Sequence, residues 1–452
     1  MAGADIRRFS FDRQGTSLNA PIAVIAAALF AFADAFLVPA IVLPVVTSQL
    51  TNNLTTVGLA VSLAGGLWFL PQVLSAGVIQ DRRRIKPVVL LGGACRAAAL
   101  GLFAYVGFRD DDFSEVQLLR WLIFALIVST VASSFTIAPL NMLTVRSAHG
   151  DQRAGIFNIR AGLAGLLAIA AGVITARVFA EDGPGFPRSL TLIVLAAAAC
   201  VAAATFLIGM LREPRRTAAV RTPTLGEGIS GSLKSLGDRA VRRFLLFRTV
   251  VAITAGFDAL LILYGIEKLD IPVGYIGYYV AAYAAARFIA DPLWSFVART
   301  AGHRPLLQTA SALRLIVPGI ALAIPSIIDS DQWKENVSRD NASFILFGLT
   351  FVALGIASAG ITRGSFGYLN EIVAPQRRFY AASLINFVLM LVAFLPIAIF
   401  AVAKSRGIED VITGGAIIGV LALLLSGALI DGSTTISRSA VRSLARRPRA
   451  AR

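Results

Sequence analysis

The stretch SAGVIQDRRRIKPVV, residues 75–89, decides the fold, because it concentrates three arginines, a lysine and an aspartate between two long and mostly apolar runs. A helix that crosses a bilayer needs about 20 predominantly apolar residues. The runs on either side of this charged turn reach that length, so we expect each of them to be a membrane-spanning helix. The turn itself then lies at the membrane surface.

The composition extends this interpretation to the whole chain of 452 residues, of which 56% are hydrophobic and 15% charged, with a mean hydropathy of +0.74. These values are typical of a membrane protein. Ten-residue segments of alternating polarity, the pattern of outer-membrane barrels, are absent from the sequence, so the predicted fold class is an all-α membrane protein. We number the twelve apolar stretches as spans 1 to 12: 19–46, 55–79, 87–107, 119–145, 154–179, 190–211, 244–266, 274–298, 305–328, 343–368, 378–403 and 412–431.

The net charge of +16 would suggest nucleic-acid binding in a soluble protein, but its distribution follows the spans. The two tails and every second gap between spans hold 27 lysines and arginines, and the remaining gaps hold 9. By the positive-inside rule, the richer side is cytoplasmic. We therefore predict a multi-pass protein of the inner or plasma membrane with both termini in the cytoplasm, surrounded by lipid and without a nucleic-acid partner.

The sequence contains no Ser/His/Asp set, no Cys/His set and no cluster with the spacing of metal ligands. Its cysteines, Cys95 and Cys200, lie within spans and form no motif with each other, so we expect them to be packing residues. We predict that the protein is not an enzyme and has neither a catalytic residue, nor a metal site, nor a cofactor.

The longest cytoplasmic gap divides the spans six from six and is rich in Pro, Gly, Ser and Arg, which predicts a linker. The predicted organisation is an N-terminal six-helix bundle (1–211), a basic linker (212–243), a C-terminal six-helix bundle (244–432) and a basic tail (433–452). Within the linker, Ile229, Leu233, Leu236 and Ala240 share one helical face, which favours a helix on the membrane surface.

The two halves align with each other, as expected of a transporter built from repeats. A shift of 218 residues matches Lys86 with Arg304 and Arg96 with Arg314, and a shift of 224 brings Asp34 onto Asp258. The last match requires a gap of six residues between the two registers. The halves are therefore predicted to be related by pseudo-symmetry.

Residues 77–86, GVIQDRRRIK, resemble the signature of the major facilitator superfamily of secondary transporters between its second and third helices, although an expected glycine is missing. The twelve spans and the basic central linker resemble that superfamily as well. The resemblance implies two pseudo-symmetric six-helix bundles that transport a small molecule by alternating access. The positions that fit the signature are Gly77, Asp81, Arg82, Arg84 and Lys86.

In this superfamily the signature aspartate faces the cytoplasmic end of helix 11 and forms a latch that closes the inside of the carrier. The resemblance implies that Asp81 binds near Arg377 or Arg378. An alternative is that the whole turn only anchors the topology. We assign its cations mainly to anchoring and its aspartate mainly to the latch, since an acidic residue adds nothing to a positive-inside signal.

Charged residues within the spans indicate either structural pairs or a transport pathway, because they are costly in lipid. Arg248 and Arg363 lie close enough to cytoplasmic ends to extend to the surface, so we set them aside. The candidates for substrate or proton binding are Asp34, Asp258, Arg96, Arg314, Arg160, Arg287 and Asp291.

Two roles remain open for most of these candidates. Arg287 and Asp291 are four residues apart on span 8, which favours mutual neutralisation. The superfamily arrangement would place Asp34 and Asp258 beside the central cavity, where they bind substrate or protons, or where Arg96 and Arg314 pair with them structurally. A proton-coupled aspartate would change its protonation as access to it changes.

The sequence thus predicts a monomeric secondary transporter that moves a small solute, coupled to protons, with export favoured over uptake. The alternative is a non-transporting scaffold or sensor that retains the carrier fold. Such a protein would not need titratable residues in its cavity, so cavity-facing positions of Asp34 and Asp258 would favour transport.

Overall fold

The structure is a computed structural model that describes residues 19–69, 84–146, 153–213, 225–329, 339–375 and 377–430. In these ranges the chain consists of helices joined by short turns and contains no strand, which confirms the all-α class. The helices, numbered in chain order, are α1 Asn19–Ala35, α2 Val42–Leu50, α3 Leu54–Gly66, α4 Lys86–Gly107, α5 Glu115–Arg146, α6 Arg153–Val178, α7 Arg188–Met210, α8 Leu225–Ser235, α9 Arg239–Ala255, α10 Asp258–Lys268, α11 Ile276–Thr300, α12 His303–Ile328, α13 Arg339–Ile372, α14 Arg378–Val392, α15 Leu395–Arg406 and α16 Ile408–Gly427.

Each predicted span corresponds to one of these helices or to a consecutive pair of them. Within the described ranges, nine helical segments are long and apolar enough to cross a membrane. The other three spans fall short for different reasons. Span 1 is interrupted after α1, and span 2 continues into residues 70–83, which lie outside the described part. The helix of span 8 is too polar, because it includes three charged residues and three tyrosines. The count of twelve spanning helices therefore stays a prediction.

Spans 1, 7 and 11 are interrupted, which hydropathy did not predict. Span 1 stops being helical for six residues after Ala35, a segment that contains Pro39. Span 7 is broken at Gly256 and Phe257, and span 11 just before Pro396, which occupies the first turn of α15. Proline lacks the amide hydrogen that helix continuation needs, so it favours such breaks at the start of a new helix. The breaks in spans 1 and 7 adjoin Asp34 and Asp258.

The two halves repeat the same connection between the start of their third span and the end of their sixth span. The Lys86 ammonium donates to the carbonyl oxygens of Gly209 and Leu211, at 2.6 and 2.8 Å. In the second half, the Arg304 guanidinium donates to the carbonyl oxygen of Gly427 at 2.9 Å. Both pairs of positions are related by the shift of 218 residues. A cation at a helix C-terminus satisfies carbonyl groups that lack a partner within the helix.

The closest approaches of helices from the two halves lie toward one end of the molecule, which we call the far end because it is opposite to the start of α1 and the end of α7. There, α6 packs so closely against α11 that neither Gly172 nor Gly277 has room for a side-chain carbon. Spans 2 and 11 make a similar contact, with Gly58 against the carbonyl of Pro396 and the ring of Phe400. Glycine is required at these positions because the two backbones approach each other directly.

The same two helices separate toward the opposite end, which we call the near end. Gly172 faces Ala281 and Gly165 faces Phe288, so the antiparallel register next places Asn158 opposite Ser295. Residues seven apart lie on the same face of a helix, yet Asn158 is exposed. A polar side chain on the packing face of α6 is thus open to the space between the halves, which widens toward the near end.

The linker contains one described helix, α8, which packs against α14 through Gly231 and the ring of Tyr380. Ile229 and Leu233 lie on its other side and are 64% and 58% exposed. The prediction of a continuous surface-facing apolar stripe was wrong for Leu236 and Ala240, which pack into the core of the second half. They lie outside α8, where the chain has already turned toward span 7.

Candidate functional site

Asp34 and Arg96 form an ion pair between spans 1 and 3. The terminal nitrogen of Arg96 donates to one carboxylate oxygen of Asp34 at 2.5 Å, and the same guanidinium donates to the hydroxyls of Ser129 and Ser133 on α5. The side chain of Arg96 is only 5% exposed, whereas that of Asp34 is 48% exposed. The arginine is therefore held by hydrogen bonds inside the first half, and the aspartate reaches accessible space.

Asp258 and Arg314 form the corresponding pair in the second half. One terminal nitrogen of Arg314 lies 2.8 Å from both carboxylate oxygens of Asp258, and its Nε donates to the hydroxyl of Thr254 at 2.8 Å. Both side chains are mostly buried, at 15% for the aspartate and 8% for the arginine. Asp258 is also the first residue of α10, where the dipole of a helix stabilises a negative charge. The pairing that the sequence allowed for Arg96 and Arg314 is present in both halves.

A small cavity of about 30 Å³ adjoins the second pair, between spans 7, 9 and 12. Its walls are mostly apolar, with Asp258, Arg314, Thr254 and Ser311 as the polar side chains. A single water molecule needs roughly 10–15 Å³ of such volume and two or more polar partners. The cavity thus has room for about two water molecules beside a carboxylate that is otherwise closed off.

Arg287 and Asp291 do not form the direct ion pair that their spacing favours, although Asp291 still attracts the charge of Arg287. Asp291 instead pairs with Arg363 on α13, whose Nε is 3.4 Å from a carboxylate oxygen. Arg287 donates to the hydroxyl of Tyr283 at 2.9 Å and lies over the ring of that tyrosine. Spacing of four residues permits a pair on one helix, but α11 packs along α13, and the neighbouring helix supplied the closer partner.

Two further arginines in the spans have no carboxylate partner within the described residues. Arg160 on α6 donates to the side-chain oxygen of Asn141 on α5 at 2.5 Å. Arg248 on α9 is partly buried and has no hydrogen-bond or ion-pair partner in the described part of the chain. Sequence reasoning set Arg248 and Arg363 aside as residues near helix ends, and it had no signal for the neutral partners Asn141 and Tyr283.

The predicted latch lies largely outside the described residues, since Gly77, Asp81 and Arg82 belong to the segment 70–83. Arg84 is exposed, and Lys86 binds carbonyl groups within its own half. On the other side of the proposed contact, Arg377 is exposed and Arg378 donates to carbonyl oxygens at the end of α13. The latch therefore stays a prediction.

Outside the spans, a near-end pair joins the start of α12 to the end of α13, with the Nδ1 atom of His303 and a carboxylate oxygen of Glu371 at 2.5 Å. In the described ranges, no group of three His, Cys, Asp or Glu side chains is arranged to hold a metal ion. The charged groups within the spans are thus aspartates and arginines, whose chemistry is ion pairing and proton exchange.

Comparison with known proteins is consistent with this architecture. No curated protein matches the sequence significantly, but 293 chains of solved structures match the fold. The nucleoside transporter NupG superposes with a TM-score of 0.66 at 14% identity, covering 91% of this chain and 98% of that chain. A bacterial homologue of the iron transporter ferroportin gives 0.68 at 15% identity in its inward-facing state (92% and 99% covered) and 0.60 in its outward-facing state (91% and 98%).

A bacterial homologue of the human lysosomal transporter Spinster, inward-facing and unoccupied, gives a TM-score of 0.61 at 14% identity, covering 92% of this chain and 98% of that chain. These identities are low, so the superpositions establish a shared fold only. The sequence profile of one family matches residues 23–396, which is most of the chain. With its paired helical halves and its apolar spans, this multi-pass membrane protein belongs to the Major Facilitator Superfamily.

Proposed function

We propose that the protein is a proton-coupled secondary transporter that exports a small solute across the cell membrane by alternating access, acting as a monomer. The observation that carries the proposal is the half-exposed carboxylate of Asp34, which is paired with a buried arginine at the point where span 1 is interrupted. Ionisable groups at this depth mark functional pathways in membrane proteins.

The packing of the halves supports a specific conformational state. With both termini in the cytoplasm, contact at the far end and separation at Asn158 correspond to an inward-facing carrier. The higher TM-score with the inward-facing ferroportin homologue, 0.68 against 0.60 for its outward-facing state, supports the same assignment. An outward-facing state would require the near ends to close, and the predicted latch between Asp81 and the start of α14 would stabilise that state.

Protonation of Asp34 offers a physical link between proton binding and this change. A neutral carboxyl group loses most of its attraction to Arg96, while Arg96 keeps its hydrogen bonds to Ser129 and Ser133. The interrupted segment after Ala35 would then be released from span 3. A carrier uses such a link when only one protonation state of the aspartate favours each conformation.

The proposal is tested with proteoliposomes loaded with a small-molecule extract of cells and exposed to an imposed pH gradient. Mass spectrometry of the vesicle contents should show at least one solute whose movement depends on both the gradient and the wild-type protein. Asp34→Asn, which keeps the size of the side chain but cannot release a proton, should abolish this movement and insert into the vesicles normally. The sign of the gradient that drives the movement reports export or uptake.

A non-transporting scaffold or sensor with the same fold is the second candidate. It predicts identical contents in vesicles with wild-type protein, with Asp34→Asn and with no protein. The accessible position of Asp34 favours transport, because a purely structural pair gains stability when both of its members are buried and satisfied.

A further inference from the structure

The charges within the spans do not balance. Leaving aside charged residues within three positions of a span end, such as Arg120, Arg177 and Arg378, the spans contain six arginines and three aspartates, so three positive charges have no acidic counterpart. The structure identifies the arginines concerned, because each aspartate pairs with a different one, at Arg96, Arg314 and Arg363. The remaining arginines are Arg160, Arg248 and Arg287, and within the described residues none of them contacts a carboxylate.

Two of these arginines lie on the helices that join the halves. Arg160 is on α6 and Arg287 on α11, and these helices pack together at the far end. In their antiparallel register Arg287 is level with residue 166, six residues from Arg160, which corresponds to about 9 Å along the axis. Both therefore lie near or beyond the contact of Gly165 with Phe288, where the helices begin to separate.

The hydrogen bonds of these arginines leave most of their donors unused. A guanidinium has five N–H groups, of which Arg160 uses one nitrogen toward Asn141 and Arg287 one toward Tyr283. A neutral oxygen accepts a hydrogen bond without cancelling the charge. Free donors in a fork geometry are suited to a carboxylate, sulfonate or phosphate group, which they bind through two parallel hydrogen bonds.

Uncompensated charge inside a membrane protein is costly unless a pathway or a bound ion offsets it. We propose that the space between the halves takes up a small organic anion. Its negative group is attracted by Arg160 and Arg287, and its charge offsets the excess positive charge within the spans. This inference rests on the proposed transport function and names its substrate class.

The charge of this space is measurable before any substrate is known. Cys95 and Cys200 are first replaced by serine, and Asn158→Cys places one thiol on the open face of α6. The rate at which this thiol reacts is measured with two methanethiosulfonate reagents, an anionic one that carries a sulfonate and a cationic one that carries a trimethylammonium group. Asn52→Cys, at an exposed far-end turn, serves as the reference thiol.

We expect the ratio of anionic to cationic rates at position 158 to exceed that at position 52 by tenfold or more. At low ionic strength, Arg160→Gln and Arg287→Gln should each lower this ratio about fourfold, the effect of one charge on two oppositely charged reagents at roughly 10 Å in water. Arg160→Lys should retain it. Arg188→Gln, which removes a charge at the far end that pairs with Asp110, is the matched control and should leave it unchanged.

The proposal is overturned if the ratio of anionic to cationic reaction rates at position 158 equals that at position 52. It is also overturned if neither arginine substitution changes the ratio at position 158. Monodisperse elution of each variant in detergent excludes misfolding as the cause. The thiol reaction does not require transport. If it shows an anion-selective space but no solute moves in the vesicles, only the transport function is contradicted. Solute movement with a neutral or cation-selective space would contradict only the anionic substrate.

Discussion

Arg96 holds the carboxylate of Asp34 at 2.5 Å, and the two members of this pair differ almost tenfold in exposure. Arg314 holds Asp258 in the second half by the same connection between the first and third helices, but there both members are buried. The pseudo-symmetric halves thus contain one open and one closed version of a single arrangement. This difference is the basis of our proposal that Asp34 exchanges protons, whereas the buried pair of Asp258 and Arg314 stabilises the second half.

Loss of Asp258 is therefore predicted to destabilise the protein more than loss of Asp34. Asp258→Ala leaves the buried charge of Arg314 unpaired, which costs about 3 kcal/mol. Asp34→Ala also leaves a buried arginine, but Arg96 keeps the hydroxyls of Ser129 and Ser133 as partners and loses only a half-exposed carboxylate, so the cost is about 1 kcal/mol. Thermal unfolding in detergent, monitored by tryptophan fluorescence, shows which of the two variants is less stable. Adding Arg314→Met to Asp258→Ala should restore most of the loss, and equal effects of the two single substitutions would contradict the distinction.

Closure at the far end depends on the glycines that bring α6 and α11 together. We expect Gly277→Val to separate the halves there, since a side chain at this position meets the backbone of Ala176. The distance between spin labels on Gln49 and Lys268, at the far ends of α2 and α10, should increase by several ångströms. Gly319→Val is the control and should leave the distance unchanged, because an added side-chain carbon at this position meets no other part of the protein within 4 Å.

The exposed side of α8 is predicted to lie in the bilayer surface. Its apolar residues face away from the protein, and cations flank it at Lys234 and Arg239. A fluorophore attached at Leu233→Cys should be quenched by brominated lipids in proteoliposomes, while one at Lys234→Cys should be quenched much less. Equal quenching at the two positions would place the helix away from the membrane.

The clamp at the start of α4 provides a further test. Lys86→Ala removes two hydrogen bonds to the end of α7 and should lower the unfolding free energy by about 1–2 kcal/mol. Arg84→Ala, which alters an exposed cation in the same charged turn, should have less than half of this effect. The comparison separates a structural role of the turn from its role as a topology signal, and thermal unfolding in detergent measures both variants.

The pairing of Arg96 with Asp34 was predictable from the sequence, because the repeat places equivalent charges at equivalent depths in both halves. The helix interruptions beside Asp34 and Asp258 were not predictable, since hydropathy shows that a segment is apolar but not whether its helix is continuous. The partner of Asp291 was missed because spacing along one helix is weak evidence when a neighbouring helix packs alongside. The neutral partners Asn141 and Tyr283 depend on tertiary packing in the same way.

We propose that the two ends of the protein open in alternation. Double electron–electron resonance in proteoliposomes tests it most directly, with one label pair at the near end on Asn158 and Ser295 and the far-end pair on Gln49 and Lys268. On changing the pH, or on introducing Asp34→Asn, the near-end distance should shorten while the far-end distance lengthens. If both distances stay the same at every pH and in Asp34→Asn, the protein does not work by alternating access driven by Asp34.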